Sequence, residues 1–160
     1  MAETARHVHE LPLRVYYEDT DAGGIVYHAG YLRFAERGRT EYLRDLGIEQ
    51  TRLRDADGIV FTVRHCAIDF IAPARLDDLL TVSTELVQVG GATVTARQVV
   101  RREGRELVRL SVRIATVRIA DGRPGRIPKP LRALLAGKVS AAAPSEAPAG
   151  AESCRETDTI

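Results

Sequence analysis

The first regular pattern along the chain lies at Leu13, Val15 and Tyr17, which alternate with Arg14, Tyr16 and Glu18. A period of two is that of a half-buried strand. From Tyr31 the period changes. Tyr31, Phe34, Ala35, Gly38, Tyr42, Leu43 and Leu46 recur at helical spacing, with Arg33, Arg37, Arg44 and Asp45 on the other side. The pattern predicts a helix of about four turns that stops at Gly47. Gly38 lies inside it, where glycine costs ~1 kcal/mol relative to alanine; its presence predicts that another backbone, that of a sheet, comes close there. After a polar connection containing RDADG, four strand-like stretches follow at 59–70, 78–89, 92–103 and 105–120. Gly90-Gly91 and Glu103-Gly104 mark turns between the last three, which predicts an antiparallel meander. In the first of the four, apolar residues occupy odd positions (Ile59, Phe61, Val63) and then even ones (Cys66, Ile68, Phe70). A change of inward face within one strand predicts a β-bulge between 63 and 66. The last stretch shows a similar switch, from Val108, Leu110, Val112 and Ile114 to Val117 and Ile119.

One strand, one long helix and four strands make an α+β domain in which a single sheet curls around a central helix. A chain of 160 residues fits one domain, large enough to bury a core without disulfides or metals. Its expected limits are 11–138. Residues 1–10, with His7 and His9, are expected to be a flexible arm, and residues 139–160, rich in Ala, Pro, Ser and Glu, a disordered tail. Cys66 and Cys154 lie far apart and make neither a disulfide framework nor a metal-binding pair, which fits a reducing, cytoplasmic setting. The first twelve residues have no apolar core and no eighteen apolar residues run together. Neither a signal peptide nor membrane insertion is expected.

The formal net charge of +1 conceals an uneven distribution. Residues 97–138 carry twelve Lys/Arg and three acidic residues, a field that attracts anions. Nucleic acid, a phosphorylated small molecule and an acidic carrier protein would each fit, as would a merely solvated strand face. Aromatic residues make up only 5% of the chain and no nucleic-acid-binding motif accompanies the arginines, so nucleic acid is not the expected partner.

Chemistry is concentrated between the first strand and the helix, in YEDTDAGGIVYHAGY, residues 17–31. Asp19, Thr20, Asp21 and the two glycines suit an ordinary turn, because short polar side chains bond the local backbone and glycine accepts positive φ. A turn alone leaves the setting unexplained. Two consecutive glycines admit close approach, Ile25, Val26 and Tyr27 supply apolar cover, and the helix begins near His28–Gly30, where unpaired N–H groups carry about half a positive charge. A carboxylate folded back against such donors suits carbonyl chemistry, with an activating anion on one side of the carbon and a polarised oxygen on the other.

The run RVYYEDTDAGGIVYHAGYLRFAERGRTEYLRDLGI, Arg14 to Ile48, resembles the signature region of the YbgC / 4-hydroxybenzoyl-CoA thioesterase family of hot-dog-fold acyl-CoA thioesterases. Asp19, Asp21, Gly24, Val26, Tyr27 and Tyr31 match its Asp-x-Asp-x-x-Gly-x-Val-Tyr-x-x-x-Tyr pattern. The likeness extends over about residues 11–135, including FIAPARLDDLLTVST and IPKPLRALL. The resemblance implies a hot-dog fold, a curled antiparallel five-stranded sheet around one long central helix, and hydrolysis of a thioester to free acid and CoA. It implies Asp21 as the catalytic carboxylate, acting as nucleophile or as general base on water, and a backbone N–H at or near His28 that polarises the carbonyl. His28 itself would assist proton transfer or orient Asp21, or else only cap and pack the helix. Gly24, Val26, Tyr27 and Tyr31 would shape the substrate site. Asp19, Tyr27 and Glu36 are expected in turn or supporting roles, and His65 and Cys66 in structural ones. The basic excess would serve CoA phosphates or an acidic acyl carrier protein, with Arg101, Arg102, Arg126 and Lys129 as candidates. No cofactor or metal is implied. A homo-oligomer, a dimer of dimers with sites between subunits, is. A hot-dog hydratase or dehydratase is the alternative enzyme, but no His-Pro-x-x-Pro-Gly-like element occurs. A non-catalytic acyl-thioester binder is the other alternative.

Overall fold

The structure is a computed structural model and describes residues 7–140. Its elements are β1 (Val8–Arg14), a 3-10 turn (Tyr17–Asp19), α1 (Gly30–Asp45), α2 (Gln50–Asp57), β2 (Ile59–Phe70), β3 (Leu79–Val89), β4 (Thr93–Arg102), β5 (Arg105–Arg118) and α3 (Lys129–Ala136). The five strands form one sheet in the order β1-β3-β4-β5-β2, antiparallel at every pairing. The α+β class, the meander of the last three strands and the five-stranded sheet around one long helix are as expected from the sequence. Among the described residues no helix is long and apolar enough to cross a membrane.

Helix α1 turns its buried residues, Tyr31, Phe34, Ala35, Gly38 and Tyr42, onto the sheet, where it packs on β1, β3 and β4. Its first half closes one apolar cluster with Val15, Leu80, Val82, Val100 and Leu110. Its second half closes another with Leu86, Val94, Ala96, Ile127 and Leu135. Gly38 stands between the two. A Cβ there would lie 2.9 Å from Val82 Cγ1, 3.1 Å from Thr84 Oγ1 and 3.2 Å from Gln98 Nε2, which is the close approach that a glycine inside a helix implied. Beside it the fully buried Gln98 donates from Nε2 to the Ala35 carbonyl and to Thr84 Oγ1, both at 2.8 Å. Its Oε1 accepts from Arg39 at 2.7 Å. Buried amide groups that find all these partners fix one seating of helix on sheet, because any slip would strand them without water. The whole of α1, with its N-terminus, is thereby held in one position.

The register of β2 on β5 shifts between Val63 and His65, so the expected bulge is present at Arg64. The switch expected in the last strand is absent. Ile114 to Arg118 pairs with β2 without a break, and Ile119 is exposed. The irregularity of β5 falls instead between its Val108 and Glu106 pairings with β4, where Leu107 and Val108 are both fully buried.

Four further local expectations differ from the structure. The first strand lies earlier than its alternation suggested. Val8–Glu10, assigned to a flexible arm, pair with Ser83–Glu85 of β3, and His9 Nε2 sits 3.0 Å from Asp45. Tyr17 is not an inward strand residue but 83% exposed. The polar connection after Gly47 contains α2, which shows water almost its whole surface and buries only Leu53, so no apolar period marked it. IPKPLRALL contains α3, which Pro128 and Pro130 introduce.

At the other end, Ser140 donates its N–H to the Leu86 carbonyl at 3.0 Å. The domain therefore runs two residues past 138, and the expected disordered tail lies otherwise outside the described residues. Since the described core closes at Ser140, truncation after it should leave the unfolding midpoint at the full-length value. A large loss would show that residues 141–160 belong to the folded domain.

Candidate active site

The chain leaves β1 at Val15, whose N–H donates to the Asp78 carbonyl, and turns at once. Asp19, buried to 5% exposure, holds the turn: its carboxylate accepts the Tyr16 N–H at 2.8 Å and its carbonyl the Tyr27 N–H at 2.9 Å. Thr20 and Val26 bridge as in a hairpin. Inside that bridge the Asp21 N–H donates to the Ile25 carbonyl and the Gly24 N–H to the Asp21 carbonyl, each at 3.0 Å. Gly24 has φ +74, the left-handed region that glycine enters without strain. The Gly23 N–H donates to Asp21 Oδ1 at 2.8 Å, and a Cβ at Gly23 would stand 3.0 Å from that oxygen. The two glycines thus have separate uses: one bends the loop, the other lets the carboxylate fold against its backbone.

That bond orients Asp21 and engages only one of its oxygens; Oδ2 has no hydrogen-bond donor among the described residues. The returning arm is tied down by the Val26 N–H on the Ala74 carbonyl at 2.9 Å. Helix α1 starts four residues later, and a Cβ on the buried Gly30 would meet Val26 Cγ1 at 3.2 Å, so loop and helix start are in direct contact. The N–H groups of His28 and Ala29 find no acceptor among the described residues. They project from the positive end of the helix dipole.

Between loop and helix opens a cleft of about 400 Å³, with Asp21 and His28 on its rim and Val26, Tyr31, Phe70, Ile71 and Pro73 among its apolar walls. The His28 ring lies 4.4 Å from that of Tyr27 and edge-on to Phe70 at 6.4 Å. Tyr31 meets Phe70 at 5.9 Å, and its hydroxyl accepts the Ala74 N–H at 3.0 Å. Burial raises the Tyr31 pKa, so it remains a neutral phenol that props the cleft wall.

Of the residues expected from sequence, Asp21, His28, Val26 and Tyr31 come together at this cleft. Tyr27 lies outside it, its ring tilted by 56° against that of His28. Gly24 lines a second groove, which Asp21 also borders. Arg101 bonds Ser83 and Glu106, and Arg102 pairs with Asp78 at 2.6 Å; neither lines the cleft. Arg126 and Lys129 are exposed near the start of α3. Asp19 has the turn-holding role expected of it, and Glu36 pairs with Arg39 on the helix surface. The wall Phe70–Pro73 was not singled out by sequence; its signal was the apolar run FIAPA, which continues past the end of a strand and so has no sheet position to fill.

A single antiparallel sheet wrapped on one long helix is a hot-dog fold, and comparison with known proteins makes it one of the thioesterases built on that fold. A model of the thioesterase superfamily matches residues 23–109. The chain is 48% identical over 123 residues to the acyl-CoA thioesterase YbgC of Haemophilus influenzae, covering 77% of this chain and 90% of the relative. It is 43% identical over 119 residues to the acyl-CoA thioester hydrolase YbgC of Escherichia coli O157:H7, 74% of this chain and 88% of that one. Among solved structures, a probable thioesterase from Bartonella henselae superposes with TM-score 0.73 at 42% identity, covering 76% of this chain and 99% of that chain. The chain belongs to the YbgC family of the thioesterase superfamily.

Proposed function

We propose that this enzyme hydrolyses acyl-CoA, with Asp21 as its reacting carboxylate. The observation that carries the reading is that an oriented Asp21, its Oδ2 without a hydrogen-bond donor among the described residues, lines one apolar cleft together with His28, whose N–H has no acceptor among the described residues at the start of α1. The carboxylate either attacks the thioester carbonyl, giving a mixed anhydride that water then opens, or removes a proton from the attacking water. By either route one water is consumed, the C–S bond breaks, and free acid and CoA thiol leave. Thiolate is a good leaving group, so a single carboxylate suffices without a strong general acid. The oxyanion formed on the way would be met by the N–H of His28 or Ala29, and a donor of this kind contributes roughly 2.7–4 kcal/mol. Val26 and Tyr31 would shape the acyl side, Gly24 and Tyr27 the loop around it.

Released CoA thiol, followed with a thiol reagent over a panel of acyl-CoA and acyl-carrier thioesters, tests the activity; no release from any of them would refute it. His28 touches Tyr27 and Phe70 and no described carboxylate, so we assign it to holding the cleft rim. His28→Ala is expected to lower kcat by about tenfold, below the range for a group that itself transfers the proton. An unchanged rate would reduce it to packing, and a loss as large as that of Asp21 would make it a partner in the chemistry.

The arginine-rich β4–β5 surface supports binding of CoA phosphates, Arg101 and Arg102 among the candidates, and is compatible with an acidic acyl carrier protein. We further propose a cytoplasmic homotetramer, a dimer of dimers. The 12-residue edge strand β2 has no strand partner on its outer side among the described residues, and Val63, Phe70 and Ile71 are exposed along it and just after it, which favours pairing with a second copy. Sedimentation analysis distinguishes the tetramer from a monomer.

A further inference from the structure

The turn that leads from the cleft wall into β3 is fastened at both ends. Asp78 closes it: its Oδ2 accepts the Arg75 N–H at 2.8 Å and Arg102 Nη1 at 2.6 Å, while its own N–H donates to the Arg75 carbonyl at 3.2 Å. Burial alone would raise the Asp78 carboxyl, but the Arg75 N–H and the Arg102 guanidinium hold it below the ordinary carboxylate range, so it is an anion at neutral pH. Asp77, the residue before it, has φ +67, a left-handed conformation that a residue with a Cβ enters at a cost. Two bonds to the end of the first strand hold it there, from the Asp77 N–H to the Val15 carbonyl at 3.1 Å and from Arg14 Nη1 to the Asp77 carbonyl at 2.7 Å.

The same turn supports the loop of Asp21. The tip of that loop, residues 21–24, is exposed, and among the described residues its hydrogen bonds stay within the loop. Its position is therefore inherited from its two arms. Asp19 and Thr20, on the first arm, bond back to the turn at Tyr16 and Tyr17. Ile25 and Val26, on the second, bond to a different part of the chain. The fully buried Ala74 accepts the Val26 N–H at 2.9 Å, and Arg75 bridges Ile25 as in a sheet. The Ile25 carbonyl in turn accepts the Asp21 N–H at 3.0 Å. An unbroken series of bonded groups thus leads from Arg102 on β4 through Asp78, Arg75 and Ile25 to Asp21, although neither Asp78 nor Arg102 lines the cleft.

We infer that Asp78, held by Arg102, is a positioning residue for the hydrolysis: it fixes the turn on which the Asp21 loop hangs and so sets where the reacting carboxylate stands. This rests on Asp21 as the reacting group and adds a residue that acts only through it. The bond from Arg102 is charge-assisted and both side chains are largely out of water, at 30% and 20% exposure, the setting in which an ion pair holds its geometry. With the anion gone, the Arg75 N–H loses its acceptor's charge and Arg102 its partner, and the backbone that carries Ala74 and Arg75 is freed to shift. The ties to Ile25 and Val26 pass that shift to Asp21. A reacting group misplaced by about an ångström costs on the order of a hundredfold in rate, so a smaller displacement is enough to be read in kcat.

Asp78→Asn and Arg102→Gln are compared with the parent by steady-state thiol release from an acyl-CoA that the parent hydrolyses, well below the unfolding midpoint of each protein. Each is expected to lower kcat about tenfold while KM and inhibition by free CoA stay within about twofold of the parent. Arg102→Lys, which keeps a cation within reach of Asp78, should recover most of that loss. Amide hydrogen exchange should quicken at Asp21 and Val26 in Asp78→Asn and stay at the parent's rate at Gln98 in the middle of the sheet. Asp78→Asn is also placed on Asp21→Asn. A residue that acts through Asp21 then has nothing left to position, and the residual rate should not fall further. A second tenfold loss in that background overturns the inference. So does an unchanged kcat in both single variants, exchange at Val26 as slow as in the parent, or a raised KM with weakened CoA inhibition at full kcat in Arg102→Gln, which would give Arg102 to the phosphates alone. If Asp78→Asn does not fold, Arg102→Gln, which changes a partly exposed side chain, carries the same comparisons. The two levels separate cleanly: an Asp21→Asn protein as active as the parent removes the reacting carboxylate, whereas an inactive one beside fully active Asp78 and Arg102 variants removes only the positioning role.

Discussion

Asp21→Asn should keep the fold and lose about a thousandfold in kcat, within the range for removal of a positioned general base and equal to about 4 kcal/mol of barrier. Asparagine is isosteric and its carbonyl oxygen can still accept the Gly23 N–H that Asp21 Oδ1 accepts now, so the loop has no reason to move. What disappears is the negative charge of a carboxylate that lines the cleft. The amide is neither a competent nucleophile toward a thioester nor a base for water. Because that oxygen acts in the transition state more than in ground-state binding, kcat and kcat/KM should fall together with little change in KM. Steady-state thiol release measures both constants, and a rise in KM at full kcat would make Asp21 a binding group instead.

Gly38→Val should have the largest effect on stability, a loss of about 3 kcal/mol, at the upper end of what overpacking costs. Its Cβ alone would overlap the Val82 methyl at 2.9 Å, and the γ-carbons of valine would press further on Thr84 and Gln98. Those two cannot retreat freely, since Gln98 Nε2 is shared between Thr84 and the Ala35 carbonyl. Either the helix lifts from the sheet or the amide loses a buried partner. Activity should fall at temperatures where the protein is still folded, because the displaced element begins at the N–H groups of the active site. Denaturant titration gives the stability loss, and an unfolding midpoint equal to the parent's would mean that sheet and helix are not held at this point.

The elements legible in the sequence were those with a wet face and a dry one. Helix α1 and strands β3 to β5 show their periods because each sits between core and solvent, β2 shows an apolar alternation although only Ile59 on it is buried, and Gly38 marked a contact because a helix admits glycine only for a reason. Helix α2 was hidden because a single residue, Leu53, is buried on it, and one position makes no period. The first strand was placed too late because Tyr17 extends its alternation by chance; the ring points into solvent, and the true strand reaches back through Pro12 to Val8, where charged residues and a proline weaken the pattern. In the site, Asp21 and His28 were visible because they stand within one motif with the glycines that shape it. The wall at Phe70–Pro73 comes from a segment some fifty residues on, brought in by the bond from Val26 to Ala74, and no local periodicity records such a meeting.

The chemical step itself is reached most directly by a single-turnover experiment, with enzyme in excess over an acyl-CoA that the wild type hydrolyses and CoA thiol followed after rapid mixing, so that product release cannot hide the rate of cleavage. With Asp21→Ala beside the wild type at matched thermal stability and oligomeric state, cleavage should be complete for the wild type while the variant remains near the uncatalysed background. Cleavage by the variant at the wild-type rate would contradict the account.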